Sequence, residues 1–148
     1  MKAKLTTLGK YLYLAFSWLF VAGVVYQVYL TGLAVVAQKR GWGPHVETGH
    51  ALGIPILLMI LSMYLGRLPR DVKIFTWLLL FVYILQADVL IFMRRSFPYL
   101  AAVHPVLALV DFGLGSWLAV QAWREVRRSR EAGLDHPQVG NKVFVQGE

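Results

Sequence analysis

Four apolar runs, each near or above the ~20 residues a helix needs to cross the hydrocarbon core of a bilayer, dominate this 148-residue chain. They cover residues 11–38, 50–66, 75–93 and 99–123. Hydrophobic residues make up 57% of the chain and charged residues 16%, against about 25% charged in an ordinary soluble domain. Inside a bilayer a spanning segment must satisfy its own backbone polar groups, so runs of this length are helices. The connections, about eleven, eight and five residues long, force consecutive helices to run antiparallel. The expected fold is all-α: an integral membrane four-helix up-and-down bundle over residues 1–130, with a polar cytoplasmic tail over 131–148.

The net charge of +7 would suggest nucleic acid in a soluble protein. Here the basic residues gather at span ends, and no basic-aromatic stripe tracks a phosphate backbone, so no nucleic-acid partner is expected. Lys2, Lys4, Lys10, Arg67, Arg70, Lys73, Arg124, Arg127, Arg128, Arg130 and Lys142 lie on one side; only Lys39, Arg40, Arg94 and Arg95 lie on the other. Eleven against four orients the bundle by the positive-inside rule, with both termini in the cytoplasm and the 39–49 and 94–98 loops outside. The absence of cysteine excludes disulfides, iron–sulfur clusters, thiolate haem and covalent haem attachment. The basic start and apolar middle of the first run resemble a signal peptide. The run continues past signal length without a small-x-small site, however, and reads as a retained span. Asp71, after Pro69, suits the N-cap of span three, and Pro98 the first turn of span four. Pro55 and Pro105 remove backbone donors and should bend their helices.

Ionisable groups within spans are costly to bury, and each is a functional candidate. They are His50, Asp88, His104 and Asp111, with Gln27 and Gln86 as polar company. His50 opens span two and His104 lies about five residues into span four, so both sit at similar depth near the outer face. In an up-and-down bundle those two helices are diagonal. A haem between them needs one imidazole from each and small residues beside the ligands, here Gly49 and Gly53 around His50, and Ala101 and Ala108 around His104. The expectation is one bis-histidine haem b per chain, with Arg94, Arg95, Lys39 and Arg40 as cations for its propionates. A plainer alternative has each histidine bonded to a loop carbonyl, the small neighbours simply allowing close helix packing.

His45, after Pro44, reads as a solvated loop residue. A mononuclear metal on His45, Glu47 and His50 is chemically conceivable but matches no strong spacing motif. His136 belongs to the polar tail. Asp88 is within reach of Arg94 or Arg95. Asp111 shares a helical face with His104, sits near the midplane pointing inward, and should hydrogen-bond a Ser, Tyr or Gln; a proton relay is the functional alternative.

YQVYLTGLAVV (26–36), GHALGIPILLMI (49–60), LQADVL (85–90) and LAAVHPVLALVDFGLG (100–115) resemble an uncharacterised family of small four-span bacterial membrane proteins. The layout also looks like one four-helix half of haem A synthase, in which a Glu-x-x-His opening the second helix and a His on the fourth grip a haem near the outer face. Glu47-Thr48-Gly49-His50 and His104 match that pattern; the Arg that usually follows is Ala51 here. Most synthases carry two such halves, so a single half would form a homodimer to rebuild the second site. The resemblance implies haem ligation by His50 and His104 in the bacterial cytoplasmic (inner) membrane.

Two functions from different classes follow. One is a cytochrome b-like protein for electron transfer or haem handling, with Glu47 beside the ligands; a synthase-like enzyme would use Glu47 as its catalytic carboxylate. The other is a cofactor-free accessory subunit of a larger respiratory or photosynthetic membrane complex. A small transporter is disfavoured, because the chain lacks a midplane polar cluster flanked by broken helices.

Overall fold

The computed structural model describes residues 2–39 and 41–134; Arg40, His136, Lys142 and the rest of the tail from residue 135 lie outside them. The described chain is all-helical: α1 (Lys2–Val35), α2 (Gly43–Ala51), α3 (Gly53–Leu65), α4 (Arg70–Ile84), a single π-turn (Leu85–Val89), α5 (Leu90–Met93), α6 (Pro98–Ala101) and α7 (His104–Leu134). These join into four helices long and apolar enough to cross a membrane: Ala3–Val35, Gly43–Leu65, Arg70–Met93 and Pro98–Ala132. Trp18, Leu19, Val28, Leu61, Phe81 and Leu109 are all more than half exposed on the outside of the bundle. In water such a surface would drive aggregation; against lipid tails it is the solvated face, and the protein is built as a multi-pass membrane bundle.

Spans one and three each pack on both two and four, leaving two and four on a diagonal, as the short connections require. Across the other diagonal, Tyr13 Oη and Thr76 Oγ1 meet at 2.6 Å, fully buried. Around this pair lie Phe20, Ile56, Met59, Met63, Leu79 and Leu118, none of them measurably exposed. At the terminal end, spans one and two cross backbone against backbone at Gly9 and Gly66. A Cβ on Gly66 would lie 2.9 Å from the Gly9 carbonyl carbon, and one on Gly9 would collide with the Gly66 main chain. Beside this crossing, Lys10 Nζ donates to Ser129 Oγ at 2.9 Å and pairs with Glu125 at 3.4 Å, tying spans one and four together.

Prolines shape both even-numbered spans. Pro55 cannot donate to the Ala51 carbonyl, and the helix is interrupted at Leu52. Pro105 cannot donate to Ala101, and the chain leaves the helix at 102–103 before α7 begins at His104. Pro98 opens α6 in its first turn, as the sequence suggests. Asp71 differs from expectation. Pro69 occupies the cap position of α4 and no side chain caps it, so Asp71 lies within the first turn, where its charge complements the helix dipole.

Candidate functional site

The second span starts seven residues earlier than hydropathy alone suggests. Gly43 opens α2 with Pro44 in its first turn, a position where the missing N–H costs nothing. This carries His45 out of the predicted loop and into the helix, half-buried against span one. His45 and His50 are therefore five residues apart on one helix and point about 140° apart around its axis. Only one of them can face span four, and it is His45. Its ring centre lies 6.2 Å from that of His104, the planes tilted by 74°.

Hydrogen bonding fixes the tautomers of this pair. His45 Nδ1 lies 3.2 Å from Thr31 Oγ1 and 3.4 Å from the Gln27 carbonyl. With the Thr31 hydroxyl donating to that same carbonyl at 3.0 Å, His45 Nδ1 is placed to donate. His104 Nδ1 faces the Gln86 carbonyl at 3.0 Å, and a carbonyl can only accept. In this arrangement both imidazoles donate from Nδ1, and Nε2 of each has no partner among the described residues. A metal-ligating histidine is held in just this way, by a hydrogen bond from its other ring nitrogen.

His50 sits differently. Its Nδ1 donates to the Val46 carbonyl at 2.9 Å and its Nε2 lies 3.4 Å from Asp88 Oδ1. With its side chain 59% exposed and both nitrogens facing oxygen acceptors, it is turned away from His104. Asp88 accordingly engages His50 rather than Arg94 or Arg95. Those two arginines are exposed at the same end, as is Lys39. Glu47 is exposed on α2. No group of three or more histidines or carboxylates among the described residues is placed to hold a metal, so His45, Glu47 and His50 do not form a mononuclear set.

A polar shell surrounds the histidine pair. Gln27 Nε2 donates to Thr48 Oγ1 at 2.6 Å, and Thr48 donates onward to the Pro44 carbonyl at 2.6 Å. Gln86 Nε2 donates to Asp111 Oδ2 at 2.8 Å, the inward amide partner expected for that carboxyl. Asp111 is fully buried, Gln86 nearly so. Gln27 Oε1, Gln86 Oε1 and Asp111 Oδ1 are buried acceptors without donors among the described residues. Of the small residues, Gly49 faces the Gln27 amide, where a Cβ would lie 3.8 Å away. Gly53 makes room for the Tyr83 hydroxyl, 3.2 Å from where its Cβ would be. That hydroxyl is shared between the Gly49 and His50 carbonyls at 2.9 Å each. Ala101 and Ala108 are half-buried on span four. A groove of about 520 Å³ is lined by Tyr26, Tyr29, Leu30, Leu33 and Lys39 and includes neither histidine.

Fold and site together define a four-span helical membrane protein with a polar, histidine-bearing core at the end remote from the Gly9–Gly66 crossing. Residues 27–92 match a family of unknown function, DUF6220. The match takes in His45, His50, Gln86 and Asp88 and stops short of His104 and Asp111. No curated protein and no solved structure matches the chain, so the likeness to haem A synthase rests on Glu47, His50 and His104 alone.

Proposed function

We propose that this protein is a b-type haem protein of the bacterial cytoplasmic membrane, binding one haem between His45 and His104. The ligand from span two is His45 in place of the expected His50. Support comes from one observation: two imidazoles on diagonal helices with ring centres 6.2 Å apart, each held at Nδ1 by oxygen atoms and with Nε2 left open among the described residues. Gly49 and Ala108, each one turn deeper than a histidine, keep the flanks of the pair low. Arg94, Arg95 and Lys39 stand at the same end, where propionates would emerge, and Arg40 neighbours them in sequence. A haem held by two imidazoles has no open iron position, so it supplies electron transfer rather than oxygen chemistry. The chain's own part is to fix two neutral ligands, tune them through Gln27, Thr31 and Gln86, and keep water from the iron.

The test is a reduced-minus-oxidised difference spectrum of protein purified from haem-replete cells. Sharp b-type bands, with one haem per chain, are expected. Protein without bands, co-purifying with a larger respiratory or photosynthetic complex, would overturn the proposal and support an accessory subunit instead.

A further inference from the structure

Span three is α-helical except for one π-turn, Leu85–Val89. Such turns are rare and tend to occur at functional sites. Within it, the Leu90 N–H bonds back five residues to the Leu85 carbonyl. In an α-helix it would bond back four, to Gln86. The turn therefore withdraws the donor that would otherwise occupy the Gln86 carbonyl, and that carbonyl is the one that accepts from His104 Nδ1 at 3.0 Å. The Gln86 side chain points the same way, its amide donating to the buried Asp111 carboxyl on α7 at 2.8 Å. One residue of span three thus grips span four twice, by main chain at His104 and by side chain two helical turns deeper.

We propose that the π-turn is a positioning device: it frees the Gln86 carbonyl to hold His104 in its Nδ1–H form, and Asp111 anchors the turn. This rests on the haem proposal for its purpose but not for its measurement. A carbonyl already saturated within its helix is a poor acceptor, and a histidine deprived of it can rotate or take the other tautomer. The matching hold on His45 uses Thr31 and Gln27 in regular helix, so it should be indifferent to the register of span three.

Deleting Ala87 removes the extra residue and restores α-helical register, while leaving Gln86 in the chain. In haem-free protein, ¹⁵N spectra of the imidazoles are expected to show His104 as Nδ1–H before deletion. Afterwards its Nδ1–H population should fall by more than half, with His45 unchanged. In haem-loaded protein the same deletion should convert the low-spin bis-imidazole spectrum to a mixture containing high-spin iron. An unchanged His104 tautomer in a folded deletion variant overturns the proposal, whether or not haem binds. A wild-type protein that takes up no haem, yet shows the tautomer change, refutes the haem reading and leaves the positioning device standing. If the deletion variant does not fold, Asp111→Leu and Asp111→Asn decide. Leu should loosen His104, and Asn, which still accepts from Gln86, should restore it; wild-type His104 signals in both would sink the idea.

Discussion

At the scale of single residues, the histidines separate by what their nitrogens face. His45 and His104 each keep Nε2 open, whereas both nitrogens of His50 face oxygens. His45→Ala and His104→Ala should each abolish the low-spin haem spectrum, while His50→Ala should leave it in place; spectra of the three purified variants check this. Tyr83→Phe removes the hydroxyl shared by Gly49 and His50. Interhelical hydrogen bonds in membrane proteins average about 0.6 kcal/mol, so a stability loss of that order is expected on unfolding by denaturing detergent. The polar cluster was only half legible in sequence. That Asp111 turns inward to a polar side chain follows from helical spacing and the cost of burying polar groups. His45 was hidden because GPHVET is too polar to read as helix by hydropathy. Pro44 was the available signal, since proline favours a first turn. The Tyr83 contact and the choice of Gln86 as partner depend on interhelical register, which no local pattern encodes.

At the scale of elements, the spans were legible because the bilayer imposes their length, and the helix breaks because proline lacks a donor. The π-turn was not, as nothing in LQADV distinguishes five-residue from four-residue bonding before span four is in place. The crossing of spans one and two depends on glycines at both Gly9 and Gly66. A side chain there meets main chain, which cannot yield as a flexible neighbour would. Gly9→Val should cost about 1–3 kcal/mol, read as a lower melting temperature in detergent. Haem spectra should change little, because the crossing lies at the opposite end from the histidines.

For the whole molecule, eleven cations on the terminal side against four on the other predict the orientation. The chain has no native cysteine, so single cysteines report cleanly. Lys39→Cys should react with a membrane-impermeant maleimide in intact cells, and Lys4→Cys only after lysis; the reverse pattern would invert the topology. Span lengths carry a further consequence. Spans one and four run 33 and 35 residues, against 23 and 24 for spans two and three. At ~1.5 Å per residue, the longer pair exceeds its neighbours by roughly 15 Å, divided between the two ends, since Gly9 near the start of span one is level with Gly66 just past the end of span two. Lys10, Glu125 and Ser129 bind the two there, and Arg130 Nε donates to Tyr11 Oη at 2.7 Å. Spans one and four are therefore clamped to each other at the level where span two ends, a fixed point for a label. Distances measured from such a label would gauge depth in the bilayer, not the wandering of a tether.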